Sequence, residues 1–453
     1  MESRRPLTRR RMIQLLGSGL VGSWLLSACG SGASTVTPTQ ATSSSAASPT
    51  AAASTSTASQ AATAPTSVVT MATTPTVITN TQASGQGPVV IGVLGDMTGV
   101  YSSLGQNMVR GMQLYFDQVQ NKAGGRSIDL HIEDCANSPD QTLSKARKLV
   151  EQDRVHILTG VTLSNEAAAI RDYVVQQQVP LIVANAGLQG LTRDPKMRSP
   201  YIFRVSFANG QYEAPFGDYV YQKLGYKSVI LTALDYAAGH EKADAFRKRY
   251  QQAGGKVVGE VYAPINTQDY GPYLQRIQQY QADAVWAFYS GADAVRFVLQ
   301  FTDFGLRDKY TLTGPGDLVD ENILSQEGDA ALNVITSLHY SPLYNSPENK
   351  AFVDAFRAKY NAQANLFAYQ GFLAARVIVE ALNATNGNVE DKQTFLQALR
   401  QVHFIGPVGE FRFNAESQGP IITVLIRKVQ KLPDGSYGNV VIDTIGNVDD
   451  LSF

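Results

Sequence analysis

Short apolar runs alternate with segments of helical periodicity from residue 88 onward, and this alternation restricts the possible folds more than any other feature of the sequence. The first run, residues 89–94, has the length and the apolar character of a buried strand. The apolar residues that follow it recur at i, i+4, i+7 and i+11, on one face of a helix: Met108, Met112, Tyr115 and Val119. Because strand and helix keep alternating, the sequence predicts an α/β protein with parallel strands.

The alternation comes in two series, with a break near residues 207–210. The predicted strands of the first series are residues 89–94, 128–133, 155–159 and 179–184. Those of the second series are residues 227–234, 256–262, 283–288 and 310–313. Further on, residues 349–384 are predicted to be helical, and residues 421–429 and 440–445 to be antiparallel strands. Residues 88–453 exceed the roughly 100–200 residues of a typical domain, so we expect two similar lobes with a cleft between them.

The first 28 residues differ in kind from the rest of the chain. Five arginines precede a short apolar stretch, which is typical of an export signal, and the stretch is shorter than the roughly 20 residues of a membrane-spanning helix. Thr8-Arg9-Arg10-Arg11-Met12-Ile13 resembles a twin-arginine signal, with a general secretory signal as the alternative. Leu26-Ser27-Ala28-Cys29 resembles the lipobox of bacterial lipoproteins, in which the signal is cut before a cysteine that carries lipid. We therefore expect removal of residues 1–28 and lipidation of Cys29.

The tract that follows the predicted cleavage site is unusual in composition. Residues 30–87 contain no charged side chain and consist almost entirely of Ser, Thr, Ala, Gly, Pro, Gln and Val. Such a tract has too little apolar area to offset the entropy that is lost on ordering. We expect residues 29–87, the lipidated cysteine and this tract, to form a disordered linker between a membrane and a folded body.

Composition excludes several classes of protein. The 38 lysines and arginines balance 39 acidic residues, and this argues against a protein that binds nucleic acid. The two cysteines, Cys29 and Cys135, form no C-x-x-C pair, so neither a disulfide framework nor a thiolate zinc site is expected. The chain has no G-x-S-x-G or G-x-x-x-x-G-K-[ST] motif, and its five histidines lie in separate predicted elements. We expect a binding protein rather than an enzyme, with no metal and no cofactor.

Several short motifs follow one another along the chain in a fixed order: Ile91-Gly92-Val93-Leu94-Gly95-Asp96, Val179-Pro180-Leu181-Ile182, Asp235-Tyr236-Ala237-Ala238-Gly239 and Gly409-Glu410-Phe411-Arg412-Phe413. Together they resemble the solute-binding proteins of ABC importers of the branched-chain amino acid (leucine/isoleucine/valine-binding) family, over residues 88–427. The resemblance implies a type I periplasmic-binding-protein fold, in which two Rossmann-like lobes joined by a hinge close on a small ligand. The first lobe is then residues 88–206 plus 339–408, and the second is 207–338 plus 409–453.

Ser164 is the first candidate for ligand binding. It follows a predicted strand and precedes a predicted helix, where parallel α/β proteins bind ligands at helix N-termini. Position alone favours a role as the cap of that helix, but the resemblance implies that this serine contacts the substrate carboxylate. Asn185, Ala186 and Gly187 follow the next strand and match a stretch that supplies further ligand contacts in the family. Gly187 stands where a threonine is usual, so one hydroxyl is missing.

The second lobe supplies further candidates through the resemblance. Tyr236 matches a tyrosine that covers the ligand, with packing at the base of a loop as the alternative. Thr267 falls where the family has an acidic partner for a substrate ammonium, which argues against an α-amino acid ligand. Asp317 is a candidate replacement, as are Asp235 and Asp293, and each is also compatible with a helix cap.

Tyr101, near a predicted strand end, is a candidate for an apolar wall of the site, with core packing as the alternative. Cys135 is expected to be a free, buried thiol.

These features lead to one principal functional hypothesis. The chain is expected to be a monomeric, lipid-anchored solute-binding component of an ABC importer, on the outer face of the cytoplasmic membrane. It is expected to capture a small carboxylate-bearing ligand, an amino acid or an aromatic or other organic acid, and to deliver it to permease subunits. A ligand-sensing module that signals through a separate membrane partner is the alternative, and an enzyme is the least favoured.

Overall fold

The computed structural model describes residues 87–453 of the chain. The predicted export signal, Cys29 and the predicted linker up to residue 86 lie outside the described residues. Within residues 87–453, no helix combines the length and the apolarity that crossing a membrane requires.

The first sheet contains the four predicted strands of the first series and two further strands. Its strands are β1 (Val89–Gly95), β2 (Lys122–Ala123), β3 (Arg126–Asp134), β4 (Ile157–Gly160), β5 (Leu181–Val183) and β6 (Ile202–Arg204). They lie in the order β2-β3-β1-β4-β5-β6, and all pairs are parallel except that of the short β2 with β3. β1 is apolar along nearly its whole length because helices cover both faces of a parallel sheet. The predicted α/β class is confirmed.

The second sheet has seven strands. The remaining strands within residues 87–453 are β7 (Ser228–Leu234), β8 (Lys256–Ala263), β9 (Ala284–Phe288), β10 (Thr311–Pro315), β11 (Ile335–Leu338), β12 (His403–Gly406), β13 (Gly409–Arg412), β14 (Ile422–Lys431) and β15 (Tyr437–Val448). The sheet order is β15-β14-β11-β10-β9-β7-β8, and β12 and β13 form a separate hairpin. β14 pairs antiparallel with both β11 and β15, which confirms the predicted antiparallel end of the chain.

Twelve α-helices occur within residues 87–453. They are α1 (Ser102–Gln118), α2 (Pro139–Arg147), α3 (Ser164–Gln177), α4 (Gly190–Arg193), α5 (Glu213–Gln222), α6 (Ala237–Gln252), α7 (Gly271–Ile277), α8 (Gly291–Asp303), α9 (Leu324–Glu327), α10 (Pro347–Tyr360), α11 (Leu366–Ala384) and α12 (Lys392–Arg400). Residues 349–384, which were predicted to be helical, belong to two helices, α10 and α11. Asn361 ends α10 in the left-handed conformation (φ 50°), and the Asn365 side chain caps α11 by accepting from the Ala368 N–H at 3.0 Å.

Helices α1 and α11 pack against each other through two glycines. A Cβ atom on Gly111 would lie 1.9 Å from the Ala368 carbonyl oxygen, and one on Gly371 would lie 1.9 Å from the Met108 carbonyl oxygen. The two helix backbones approach so closely that only glycine fits at these positions. This contact joins α11, late in the chain, to the first helix.

The chain passes three times between the two sheets. Residues 205–212 connect β6 to α5, residues 339–346 connect β11 to α10, and residues 413–421 connect the β12–β13 hairpin to β14. We call the first sheet with its helices the first lobe and the second sheet with its helices the second lobe. These crossing segments place a cleft between the lobes, with strand ends of both sheets beside it.

Candidate functional site

A cavity of about 370 Å³, including space open to solvent at its mouth, lies between the two lobes. Residues that directly follow strand ends line it from both sides: Thr162, Leu163 and Ser164 after β4, Asn185 and Gly187 after β5, Tyr236 after β7, Ser290 after β9 and Asp317 after β10. The carboxyl ends of parallel strands are where α/β proteins bind ligands. The remaining wall residues are mostly apolar or aromatic and include Tyr101, Leu104, Phe207, Phe288 and Phe367. This cavity is the candidate ligand site.

Ser164 is the first residue of α3, and its side chain lines the cavity. The first turn of this helix is capped by Glu166, whose carboxylate accepts from the Leu163 N–H at 3.0 Å. The Ser164 hydroxyl instead accepts from the side-chain amide of Asn209 at 3.0 Å. Burial and the charge of Asp96 raise the pKa of Glu166, so the protonated form of Glu166 is favoured. The Glu166 side chain itself therefore adds little negative charge at the start of α3.

The three residues after β5 have different surroundings. Asn185 lines the cavity, and its side-chain amide donates to the Thr162 carbonyl at 2.6 Å. Ala186 is buried and does not line the cavity, and its N–H donates to the Val161 carbonyl at 3.0 Å. Gly187 does line it, and its carbonyl accepts from the Asn209 N–H at 2.6 Å.

Tyr236 and Tyr101 both line the cavity, one from each lobe. The Tyr236 ring stacks on Phe288 with ring centroids 6.3 Å apart. The Tyr101 hydroxyl donates across the cleft to Asp293 Oδ2 at 3.5 Å. The lobes thus contact each other directly beside the cavity.

Thr267 lies outside the cavity. Its hydroxyl donates to the Pro264 carbonyl at 2.7 Å, and its own carbonyl accepts from Arg296 Nε at 2.8 Å. These bonds hold Thr267 within its own loop.

The three candidate aspartates differ in their partners and in whether they line the cavity. Asp235 is exposed and pairs with His240 at 2.8 Å, and Asp293 is buried against Arg296 at 2.6 Å. Asp317 is the one of the three that lines the cavity.

Lys242, on α6, lines the cavity and was missed by sequence reasoning. Its side chain is 2 % exposed, and its ammonium lies 2.5 Å from Glu213 Oε1. The ammonium also lies over the rings of Phe207 and Phe288, at 4.5 and 5.0 Å. The sequence contained one signal for the burial of Lys242. It lies on the same face of the helix as Ala238 and Phe246, at i−4 and i+4, and both of these are buried.

Asn209 was missed as well. It lies in the crossing segment 205–212, and its side-chain amide donates to Ser164 Oγ and, at 2.7 Å, to Glu241 Oε2. The break near residues 207–210 marked this segment in the sequence, but nothing in the sequence showed that it contacts Ser164. In the part of the chain that the structure describes, no three His, Cys, Asp or Glu side chains lie close enough together to hold a metal ion.

Comparisons with known proteins agree with this architecture. Residues 88–435 match the family described as periplasmic binding protein. The chain is 32% identical over 364 residues to the Leu/Ile/Val-binding protein homolog 6 of Brucella melitensis, with 79% of this chain and 91% of that relative covered.

Two solved structures extend the comparison. An ABC transporter substrate-binding protein from Sphaerobacter thermophilus has 52% sequence identity and a TM-score of 0.77, and covers 81% of this chain and 100% of its own. A solute binding protein of an ABC transporter from Rhodopseudomonas palustris BisB5, in complex with 3,4-dihydroxybenzoic acid, has 30% identity and a TM-score of 0.76. The match covers 80% of this chain and 98% of that protein.

These proteins share the type I fold with two lobes, so the predicted fold is confirmed. The relatives are substrate-binding proteins of transporters and not enzymes. The chain belongs to the periplasmic binding protein family, as a substrate-binding protein similar to those of ABC transporters.

Proposed function

We propose that the protein captures a small aromatic carboxylate between its lobes and delivers it to the permease of an ABC importer. The observation that carries this proposal is a cavity that combines the N-terminus of α3 at Ser164 with walls of aromatic side chains. Each part of the cavity suits one part of such a ligand.

The start of α3 suits the carboxylate. The backbone N–H groups of a first helical turn lack partners within the helix and sit at its positive dipole end, so they attract anions. The Ser164 hydroxyl lies at this position and is oriented by the Asn209 amide. A ligand carboxylate at Ser164 would receive charge-assisted hydrogen bonds in a site largely closed to water.

The walls suit a flat apolar ring. Tyr101, Phe207, Tyr236, Phe288 and Phe367 all line the cavity. Aromatic rings pack against one another with favourable geometry beyond the simple burial of apolar area. A benzoate ring would lie among these side chains once the lobes are closed.

An α-amino acid fits this cavity less well, because its ammonium needs a free acidic partner. Thr267 lies elsewhere, and Asp317 already accepts from the Tyr212 hydroxyl at 2.9 Å and lies 3.6 Å from the Lys242 ammonium. A ligand ammonium at Asp317 would be repelled by Lys242. The relative from R. palustris, in complex with 3,4-dihydroxybenzoic acid, supports the aromatic class.

Isothermal titration calorimetry tests the proposal with benzoate, 4-hydroxybenzoate, 3,4-dihydroxybenzoate, leucine, isoleucine and valine. We expect at least one aromatic acid to bind more than about tenfold more tightly than leucine, a difference of about 1.4 kcal/mol. Ser164→Ala should weaken that binding by about 1.5–3 kcal/mol, the range for hydrogen bonds to charged groups. Ser325→Ala, an exposed serine, is the matched control. Tight leucine binding without binding of any aromatic acid would contradict the proposal.

We propose in addition that Cys29 carries the lipid that holds the protein at the membrane. The support is the Leu26-Ser27-Ala28-Cys29 motif in front of an uncharged tract. Metabolic labelling with palmitate should be lost in Cys29→Ala and retained in Cys135→Ala, the matched cysteine control. Labelling that persists in Cys29→Ala would overturn this assignment.

A further inference from the structure

A buried cluster of charged and phenolic groups borders the cavity on the side of the second lobe. It consists of Tyr212, Glu213, Lys242 and Asp317, and each of these residues is less than one tenth exposed. The Lys242 ammonium donates to Glu213 and to the Tyr212 hydroxyl, and the Tyr212 hydroxyl donates to Asp317 Oδ2 at 2.9 Å. Lys242 and Asp317 also line the cavity, whereas Tyr212 and Glu213 lie behind them.

This cluster leaves one acceptor and one donor unused beside the cavity. The Tyr212 hydroxyl donates to Asp317 Oδ2. Among residues 87–453, no group donates a hydrogen bond to the other oxygen, Asp317 Oδ1. The Lys242 ammonium has three N–H donors, and two of them serve Glu213 and Tyr212. Its separation of 3.6 Å from Asp317 is an ion pair and is too long for a hydrogen bond.

The Tyr212 phenol fixes this arrangement. Burial and the charges of Asp317 and Glu213 raise the pKa of Tyr212, so it keeps its proton and remains a donor to Asp317. The rings of Phe207 and Phe288 lie within 5.0 Å of the ammonium and hold Lys242 at the cavity wall. The Lys242 ammonium and the Asp317 carboxylate are thus held 3.6 Å apart at the cavity wall.

Only some ligand groups suit such a pair. A ligand ammonium would sit beside the Lys242 ammonium, and a ligand carboxylate would sit beside Asp317 and Glu213, so each would be repelled by a like charge. A hydroxyl is uncharged, donates one hydrogen bond and accepts others. It can donate to Asp317 and accept from Lys242 at the same time.

We propose that Lys242 and Asp317 together recognise a hydroxyl group on the ring of the ligand, so that the natural substrate is a hydroxylated aromatic carboxylate and not benzoate itself. This inference rests on the proposed function, which places the carboxylate at Ser164. A ligand without the hydroxyl would leave both polar groups without a partner in the closed cavity. A site built to bond a hydroxyl discriminates strongly against an analogue that lacks it.

Calorimetric titration of the wild-type protein with 4-hydroxybenzoate, benzoate and 4-methylbenzoate tests the inference. The methyl group resembles the hydroxyl in size and cannot form hydrogen bonds. We expect 4-hydroxybenzoate to bind at least tenfold more tightly than the other two. This comparison needs no variant and is therefore unaffected by a folding defect.

Two nearly isosteric variants assign the preference to the proposed residues. Lys242→Met and Asp317→Asn should each reduce the preference for 4-hydroxybenzoate over benzoate to less than about threefold, while benzoate still binds. Lys248→Met is the matched control, since Lys248 is exposed on the same helix, and it should keep the wild-type preference. Thermal unfolding of each variant identifies any that do not fold, and Asp317→Asn decides if Lys242→Met fails.

The outcomes separate this inference from the proposed function. Equal binding of 4-hydroxybenzoate and 4-methylbenzoate by the wild type would overturn the inference while the aromatic carboxylate remains the ligand. A full preference retained in both variants would overturn the assignment to Lys242 and Asp317. If no aromatic carboxylate binds and leucine does, the proposed function itself is wrong.

Discussion

Asn209 Nδ2 lies 3.0 Å from Ser164 Oγ and joins a segment that crosses between the lobes to the first residue of α3. The same amide nitrogen donates to Glu241 on α6, in the second lobe, at 2.7 Å. One side chain therefore links the proposed carboxylate site of the first lobe to a helix of the second. Because these bonds need both lobes in place, the orientation of Ser164 depends on how the lobes are arranged.

Replacement of Asn209 tests this link. Asn209→Ala removes two hydrogen bonds and leaves the Ser164 hydroxyl without its donor, each bond being worth about 0.5–1.5 kcal/mol. We expect the dissociation constant for the best aromatic acid to rise by roughly two- to tenfold in calorimetric titration. Asn345→Ala, an exposed asparagine, should leave it unchanged. An unchanged dissociation constant for Asn209→Ala would show that Asn209 does not position the site.

Gly187 lies where added bulk should disturb the cavity. A Cβ atom at this position would lie 2.2 Å from Asn209 Oδ1 and 2.6 Å from Phe207 Cε2. Gly187→Ala should therefore displace both side chains and weaken ligand binding, and the overpacking should lower the free energy of unfolding by about 1–3 kcal/mol. Gly446→Ala is the control, because a Cβ atom there meets nothing within 4 Å. Wild-type affinity in Gly187→Ala would mean that Asn209 and Phe207 can move aside without any effect on ligand binding.

His339 should make the fold sensitive to acid. Burial, with Lys242 and Arg427 nearby, lowers the pKa of His339 to about 3, whereas an unfolded histidine titrates near 6.5. Between these values the unfolded chain binds a proton that the folded protein does not bind. The contribution of His339 to the free energy of unfolding is therefore fully present above about pH 6.5. Below that pH it falls by up to about 1.4 kcal/mol per pH unit.

Chemical denaturation at a series of pH values from about 4 to about 7 measures the free energy of unfolding and checks this expectation. In His339→Gln the decline with falling pH should be shallower than in the wild type, whatever the change in absolute stability. The same slope in His339→Gln and in the wild type would be incompatible with a neutral buried His339.

Cys135 should be chemically inert in the folded protein. It is a free and fully buried thiol, as the sequence predicted. Burial raises the pKa of the Cys135 thiol, so the reactive thiolate is scarce. In the Cys29→Ala background, Ellman's reagent should detect no thiol in native buffer and one thiol per chain in concentrated guanidinium chloride. Rapid reaction of the native protein would contradict the burial of Cys135.

Local sequence patterns determined the elements and the positions that follow strand ends. The period of apolar residues distinguishes strand from helix within about ten residues, so the parallel strands except β6 and β11 were predictable from neighbouring residues alone. Ser164, Asn185, Gly187 and Tyr236 follow strand ends, and the topology of a parallel sheet brings such residues to one edge. The resemblance to a family added the order of the motifs and the expectation of two lobes.

The tertiary structure decided which side chains complete the cavity. Lys242 and Asp317 lie 3.6 Å apart, although the chain between them forms three strands and two α-helices of the second lobe. A lysine among charged neighbours on a helix is usually solvated, and only the packing of α6 against α5 and the crossing segment buries this one. Thr267 was selected by matching a family position, but its loop directs it to Pro264. Contacts between distant segments depend on how the lobes pack, and local sequence patterns do not encode that packing.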